Sequence, residues 1–214
     1  MSTSFRSDNA TTHANATPVS AIGLYAERVT FQPNTDQLLQ HNADYATGSH
    51  DSSLAVQPAR NLAVVACMDA RLDPLAILGI GNGDAHMIRN GGGVVTDDVI
   101  RSLCLSQRAL GTREIILIHH TDCGLHGLNE ADFREELNAE LGVKPSWSLE
   151  SFPDPYDDVH QSMQRLKTSP FIQHKGDIRG FVFDVESGVL NEVAADHKSG
   201  DGPAAGRGAG AGGH

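Results

Sequence analysis

The chain has 214 residues, 39% of them hydrophobic, and carries 16 Lys+Arg against 27 Asp+Glu for a net charge of -11. That length suits one domain with a full core, the acidic balance argues against binding to nucleic acid or an anionic membrane, and no run of about 18 apolar residues exists to span a bilayer. Three cysteines make a poor disulfide framework and suit ligand or catalytic thiols, so a reducing, cytoplasmic setting is expected.

Residues 1–34 show no periodicity and read as a flexible arm, whose first part, Met1 to about Ala21, is rich in Ser, Thr, Asn and Ala and lacks the apolar core of a secretion signal. The single domain is expected over 35–197. A first helix is predicted from Thr35 or Asp36, with Leu38, Leu39, Asn42 and Ala46 on one side and Gly48 beyond its end. Leu62 to Cys67 is too short and too β-branched for a helix and reads as the first strand. Pro74–Leu78 is a short helix, and Ala85–Arg89 a second strand that runs into Asn90-Gly91-Gly92-Gly93.

The next helix is signalled by Thr96 as cap, Asp97 and Asp98 at its positive end and Gly111 as its stop. Val99, Ile100, Leu103, Cys104 and Leu110 recur at helical spacing, which places Cys104 in the core. Glu114–His119 is a third strand, and helices are expected near Glu130–Leu141 and Pro155–Lys167. Arg179–Val185 and Val189–Val193 form a returning pair of strands around Glu186-Ser187-Gly188. Residues 198–214 are dominated by Gly and Ala and read as a disordered tail. Strands separated by helices imply an α/β fold with a mostly parallel sheet and one antiparallel edge strand.

In such sheets ligands sit beyond the carboxyl ends of strands where the strand order reverses. Cys67 ends the first strand and His120 follows the third, with Cys123 a turn later, so a two-sulfur, one-nitrogen donor set of the kind that suits zinc comes within reach. Taken singly, Cys67 reads as an inert buried thiol and His-x-x-Cys as a weak signal. Together, three ligands with an open fourth position are the pattern of a catalytic site, in which zinc brings water to a pKa of about 7. His119 competes with His120 as ligand on spacing alone. Asp69 either ligates the metal or accepts a hydrogen bond from its water, with Arg71 holding it in the second role; the plain alternative is an ordinary ion pair. The chemistry is hydration or hydrolysis, without redox. The glycine stretch lacks the G-x-G-x-x-G register and a P-loop lysine, which argues against a nucleotide site.

Cys67-Met68-Asp69-Ala70-Arg71 followed by His120-Thr121-Asp122-Cys123-Gly124 resembles the β-class carbonic anhydrases. The likeness runs from about Asp36 to Val193, through Arg89-Asn90, Asp97-Asp98, Arg101-Ser102 and Gly180-Phe181-Val182-Phe183-Asp184, and is nearer to the short archaeal and actinobacterial-like branch than to the plant type. Gly91 departs from the alanine usual in that family. The resemblance implies one Zn²⁺ per subunit on Cys67, His120 and Cys123, with His120 preferred to His119 because the family's ligand stands three before the second cysteine. It implies Asp69 and Arg71 as the catalytic pair beside the metal-bound water, a sheet ordered 2-1-3-4 with an antiparallel edge, and a homodimer or homotetramer in which the N-terminal helix embraces a neighbour. The activity implied is reversible hydration of CO₂ to bicarbonate by a zinc-bound hydroxide. Carbonyl sulfide hydrolysis to CO₂ and H₂S on the same scaffold is the alternative, and a non-catalytic zinc protein with Asp69 fixed in the fourth position is the third reading.

Overall fold

The computed structural model describes residues 32–201. The arm expected over 1–34 lies outside the described residues except for 32–34, and so does the tail expected over 198–214 except for 198–201.

Helix α1 (Thr35–Gly48) is followed by β1 (Leu62–Cys67), α2 (Pro74–Leu78), β2 (Ala85–Asn90), α3 (Asp97–Leu110) and β3 (Glu114–His120). Then come α4 (Glu130–Leu141), α5 (Pro155–Thr168), β4 (Asp177–Phe183) and β5 (Leu190–Val193). The five strands form one sheet in the order β2-β1-β3-β4-β5. The first three contacts are parallel and β5 returns antiparallel on β4. The architecture is the mostly parallel sheet with an antiparallel edge that the alternation of elements predicts.

Every residue of β1 is buried, as a strand with neighbours on both sides and helices on both faces requires. Ala63 and Val65 face one cluster with Val99, Leu103, Val159, Met163 and Leu166. Leu62, Val64 and Ala66 face a second, which also contains Cys67, Val94, Cys123 and Phe152. Period-two alternation along β1 therefore serves two cores, and only the second reaches the strand's carboxyl end. α3 begins as expected: the Thr96 hydroxyl accepts from the Val99 amide, and Asp97 and Asp98 occupy its first turn.

Several boundaries shift by one or two residues, those of β2, β3, β4, β5, α1 and α5 among them. β3 runs one residue further, because His120 pairs with Phe183 at the end of β4. β4 starts at Asp177 and stops at Phe183, where the Asp184 carboxylate accepts from the Glu186 and Ser187 amides and turns the chain. α1 retains Gly48 as its last residue. One expectation fails: Cys104 is not in the core. α3 buries Val99, Leu103, Ser106 and Gln107, and Cys104, one position round the helix from Leu103, is only partly buried. It lines a cleft of about 730 Å³ with Ile100, Pro170 and Phe171.

The order β2-β1-β3 means that the chain leaves β1 toward one side for β2 and returns past it to form β3. The reversal of strand order falls between β1 and β3, so their carboxyl ends open the crevice of this sheet.

Candidate metal centre

Cys67 closes β1, His120 closes β3, and Cys123 stands on the turn that leaves β3. That turn is fastened at its base, where the Thr121 amide donates to the Phe183 carbonyl and the Thr121 hydroxyl accepts from the Val185 amide. Asp122 then adopts φ 55, a left-handed backbone that aspartate enters more readily than most side chains, and reverses the chain toward Cys123. From β2 the chain passes Gly91–Gly93 in a short 3₁₀ turn between the two strand ends. A Cβ on Gly93 would lie 2.8 Å from the Cys67 nitrogen and 2.9 Å from the Ile118 oxygen, at φ +75, so only glycine fits there. Gly91 is different: a Cβ would make ordinary contact at 3.7 Å with Leu125, so the departure from alanine at this position leaves the wall of the site in place.

The ligand atoms of Cys67, His120 and Cys123 lie within 4.8 Å of one another, and all three residues are buried. Among the described residues no other group of three His, Cys, Asp or Glu gathers in this way. The two sulfurs are 4.0 Å apart, and both thiols are free. Two sulfurs bound tetrahedrally to one zinc at 2.3 Å are separated by roughly 3.8 Å. His120 Nδ1 donates to the Thr121 carbonyl at 2.8 Å, which leaves the lone pair on Nε2. That Nε2 is buried without a hydrogen-bond partner. An orphaned imidazole nitrogen beside two thiols fits a metal better than it fits any protein contact the site offers. The structure thus separates the two histidines: His119 is equally buried but its Nε2 meets Asp158 on α5 at 2.6 Å and takes no part in the cluster.

The protons of this cluster are strongly coupled. The hydrogen bond from Cys123 pulls the Cys67 thiol down toward thiolate, with His120 adding to the effect. The same hydrogen bond, with burial, pushes the Cys123 thiol up. Burial works against a charged His120, but the Cys67 sulfur beside it prevails, so its pKa is raised.

Asp69 and Arg71 form the layer beside the ligands. The Asp69 carboxylate takes Arg71 Nε at 3.0 Å and Nη2 at 2.9 Å, and also accepts the Arg71 backbone amide at 2.9 Å. These bonds, those from the side chain foremost, hold the carboxyl down to about 2. Its Oδ2 lies 3.7 Å from His120 Nε2. Two residues that the sequence reading left without a role complete this layer. Arg89 donates through Nε and Nη2 to the Cys67 carbonyl and through Nη2 to that of Asp69, fixing the turn after β1. Asp122 holds the other side of Arg71, by Nη1 to its carboxylate at 2.7 Å and by Nη2 to its carbonyl at 2.8 Å. Arg89 stood within the quoted likeness, and Asp122 within the His-x-x-Cys stretch; spacing alone gives neither a partner.

A cleft of about 510 Å³ lined by Asp69, Arg71, Asp122, Cys123, Gly124 and His126 opens onto the cluster. The larger cleft beside Cys104 contains none of these residues. A small electrophile entering the first would meet a carboxylate locked in its ionised form next to three donors of zinc-binding type.

The stretch that carries these ligands is matched in known proteins. The family model described as carbonic anhydrase matches residues 62–148. Beta-carbonic anhydrase 1 of Mycobacterium tuberculosis is 55% identical over 159 residues, covering 74% of this chain and 97% of that protein. A carbon disulfide hydrolase of Saccharolobus solfataricus is 35% identical over 158 residues, covering 62% of this chain and 77% of its own. The crystal structure of a carbonic anhydrase from Streptococcus mutans superposes with a TM-score of 0.71 at 38% identity, over 77% of this chain and 100% of that one. With a switch-point crevice, a Cys–His–Cys cluster and relatives matched over about three quarters of its length, the chain belongs to the β-carbonic anhydrase family.

Proposed function

We propose that the protein is a zinc carbonic anhydrase that interconverts CO₂ and bicarbonate. The single observation that carries this reading is the convergence of Cys67, His120 and Cys123 beside an Asp69 that Arg71 holds ionised. Cys67, His120 and Cys123 would hold the metal, one per subunit, and Zn²⁺ bound there supplies the Lewis acidity that ionises a water near neutral pH. Asp69, acceptor-only while ionised, orients a hydrogen-bond donor in the cleft. Arg71 keeps that carboxylate in one pose and unprotonated. His120, with its Nδ1 proton committed to the Thr121 carbonyl, presents a fixed tautomer. The apolar cluster of Val94, Phe152 and Ile118 behind the cysteines keeps bulk water from the strand ends.

The relatives favour CO₂ over the sulfur-containing analogues: the β-carbonic anhydrase is 55% identical and the carbon disulfide hydrolase 35%. Carbonyl sulfide remains the competing substrate, and a non-catalytic zinc protein the third reading. Stopped-flow CO₂ hydration and headspace carbonyl sulfide loss, measured on one zinc-replete preparation, decide among them. The expected result is rapid CO₂ hydration with slower carbonyl sulfide turnover. Carbonyl sulfide as the faster substrate reverses the order of the first two, and rates equal to buffer for both leave only the third. Cys67→Ala and Cys123→Ala are expected to lose metal and activity together, measured by metal analysis and stopped flow.

The same reading makes the protein a homodimer or homotetramer. The support is that, among the described residues, β2 is an edge strand with one paired side and α1 buries none of its residues and exposes Leu38, Leu39 and Tyr45. Three free thiols suit a cytoplasmic setting. Among the described residues no helix is long and apolar enough to cross a membrane.

A further inference from the structure

We propose that Asp122 is a positioning residue that clamps Arg71 from the side opposite Asp69, and so keeps Asp69 from joining the Cys67–His120–Cys123 ligand set. The inference rests on the metal-centre reading above but assigns a role to a residue that reading does not use.

Arg71 is held as a planar fork between two acidic residues. One edge, Nε and Nη2, is spent on the Asp69 carboxylate. The other, Nη1 and Nη2, is spent on the Asp122 carboxylate and carbonyl. A guanidinium bonded along one edge alone can swing about its long stem, because an arginine on the surface has several rotamers of similar energy. One bonded along two edges has its plane fixed. The Arg71 side chain is 46% exposed, so packing does not supply that restraint. Asp122 does, and it does so from a left-handed backbone conformation at φ 55. Aspartate is among the few side chains that enter this region readily. The conformation aims both the carboxylate and the carbonyl of one residue at one guanidinium.

The consequence concerns Asp69. Its Oδ2 is 3.7 Å from the orphaned His120 Nε2, close enough for a rotation to bring the carboxylate among the metal-binding atoms. Carboxylate oxygen is an accepted zinc ligand, and a fourth protein ligand closes the position a catalytic site keeps open. Asp69 stays out of that position only while Arg71 presents its fork, and Asp122 decides how firmly the fork is presented.

The test uses zinc-loaded, full-length protein with Asp122→Gly, Asp122→Asn and the double variant Asp69→Asn/Asp122→Gly. Glycine adopts φ 55 freely, so Asp122→Gly keeps the turn and the backbone carbonyl while removing the carboxylate. The expected result is a fall in kcat/KM of about tenfold, in the range found for groups that support metal ligands, with a zinc affinity that tightens a few-fold in chelator competition. Asp122→Asn, which keeps an acceptor for Nη1, recovers part of both changes. In the Asp69→Asn background, Asp122→Gly no longer tightens zinc. A merely structural role would weaken zinc and activity together, and that outcome overturns the proposal. So does a kcat/KM for Asp122→Gly equal to or above wild type, which would mean that Asp122 only dilutes the charge of Arg71. Should the wild type itself fail to hydrate CO₂, the proposed function falls, and the zinc affinities of the three variants still decide the role of Asp122.

Discussion

At position 69 one carboxylate receives three hydrogen bonds from one arginine, and the chemical result is an acid held down to about 2. A folded-state value below the ordinary one of about 3.9 means that the ionised form stabilises the fold. The contribution is complete above about pH 4 and is lost as pH falls toward 2, where the folded group also protonates. With the Asp69 side chain 19% exposed, screening limits the effect to about 1–2 kcal/mol. Metal-free wild type and Asp69→Asn should therefore differ in Tm by a constant amount above pH 4, a gap that closes toward pH 2 in a thermal series. His120 titrates in the opposite sense. Its pKa is raised, with burial opposing the shift and the neighbouring Cys67 sulfur prevailing, and because a metal takes only unprotonated imidazole and thiolate, metal uptake competes with protons. Zinc affinity is expected to fall steadily from pH 8 to pH 6 in a competition titration; a flat profile would remove the cluster as the binding site.

Among the elements, the glycine turn after β2 does the most with the least material. Two glycines of this one turn make opposite predictions. Gly93→Ala drives a methyl into the backbone of Cys67 and Ile118 at a positive φ, and is expected to cost at least ~2 kcal/mol together with most of the bound metal. Gly91→Ala meets only Leu125 at 3.7 Å and should leave Tm and activity near wild type. Thermal unfolding and metal content of the pair check both. The strands and α3 were legible because their signals are local: Leu62–Cys67 is a short β-branched run, and Thr96 and Gly111 bracket a helix with its charges in order. The ligand set was legible because Cys and His are scarce donors and both fall at strand ends. What stayed hidden depends on groups distant in sequence. Asp158 meets His119 from α5, and Arg71 meets Asp122 across two strands, through contacts that no periodicity encodes. Cys104 misled because helical spacing assigns a face to within a residue or so, and its neighbour Leu103 took the buried place.

For the molecule as a whole, the sheet places one group of ligands under the control of the entire β1–β3 region, so metal and fold should report on each other. Chelation is expected to lower Tm, and excess zinc to restore it, by an amount that grows with zinc concentration as binding to the folded state alone requires; a calorimetric titration checks this. The ends of the described chain also matter at this scale. His197 and Ser199 both bind the Asp157 carboxylate on the first turn of α5, whose next residue holds His119, so the segment at 196–201 is tied to the helix that backs the site. The pairing of β1 with β3, Ala66 opposite Ile118, sets an order of events in time. A nascent or refolding chain owns only His120 and Cys123, two of its three donors, in one stretch, and two ligands hold zinc poorly. Cys67 arrives when two strands separated by β2 and α3 have found each other, a slow, non-local step. The ion is therefore a late passenger, not a template: zinc present during refolding should leave the rate of sheet formation unchanged, and metal capture should lag behind recovery of the far-ultraviolet signal.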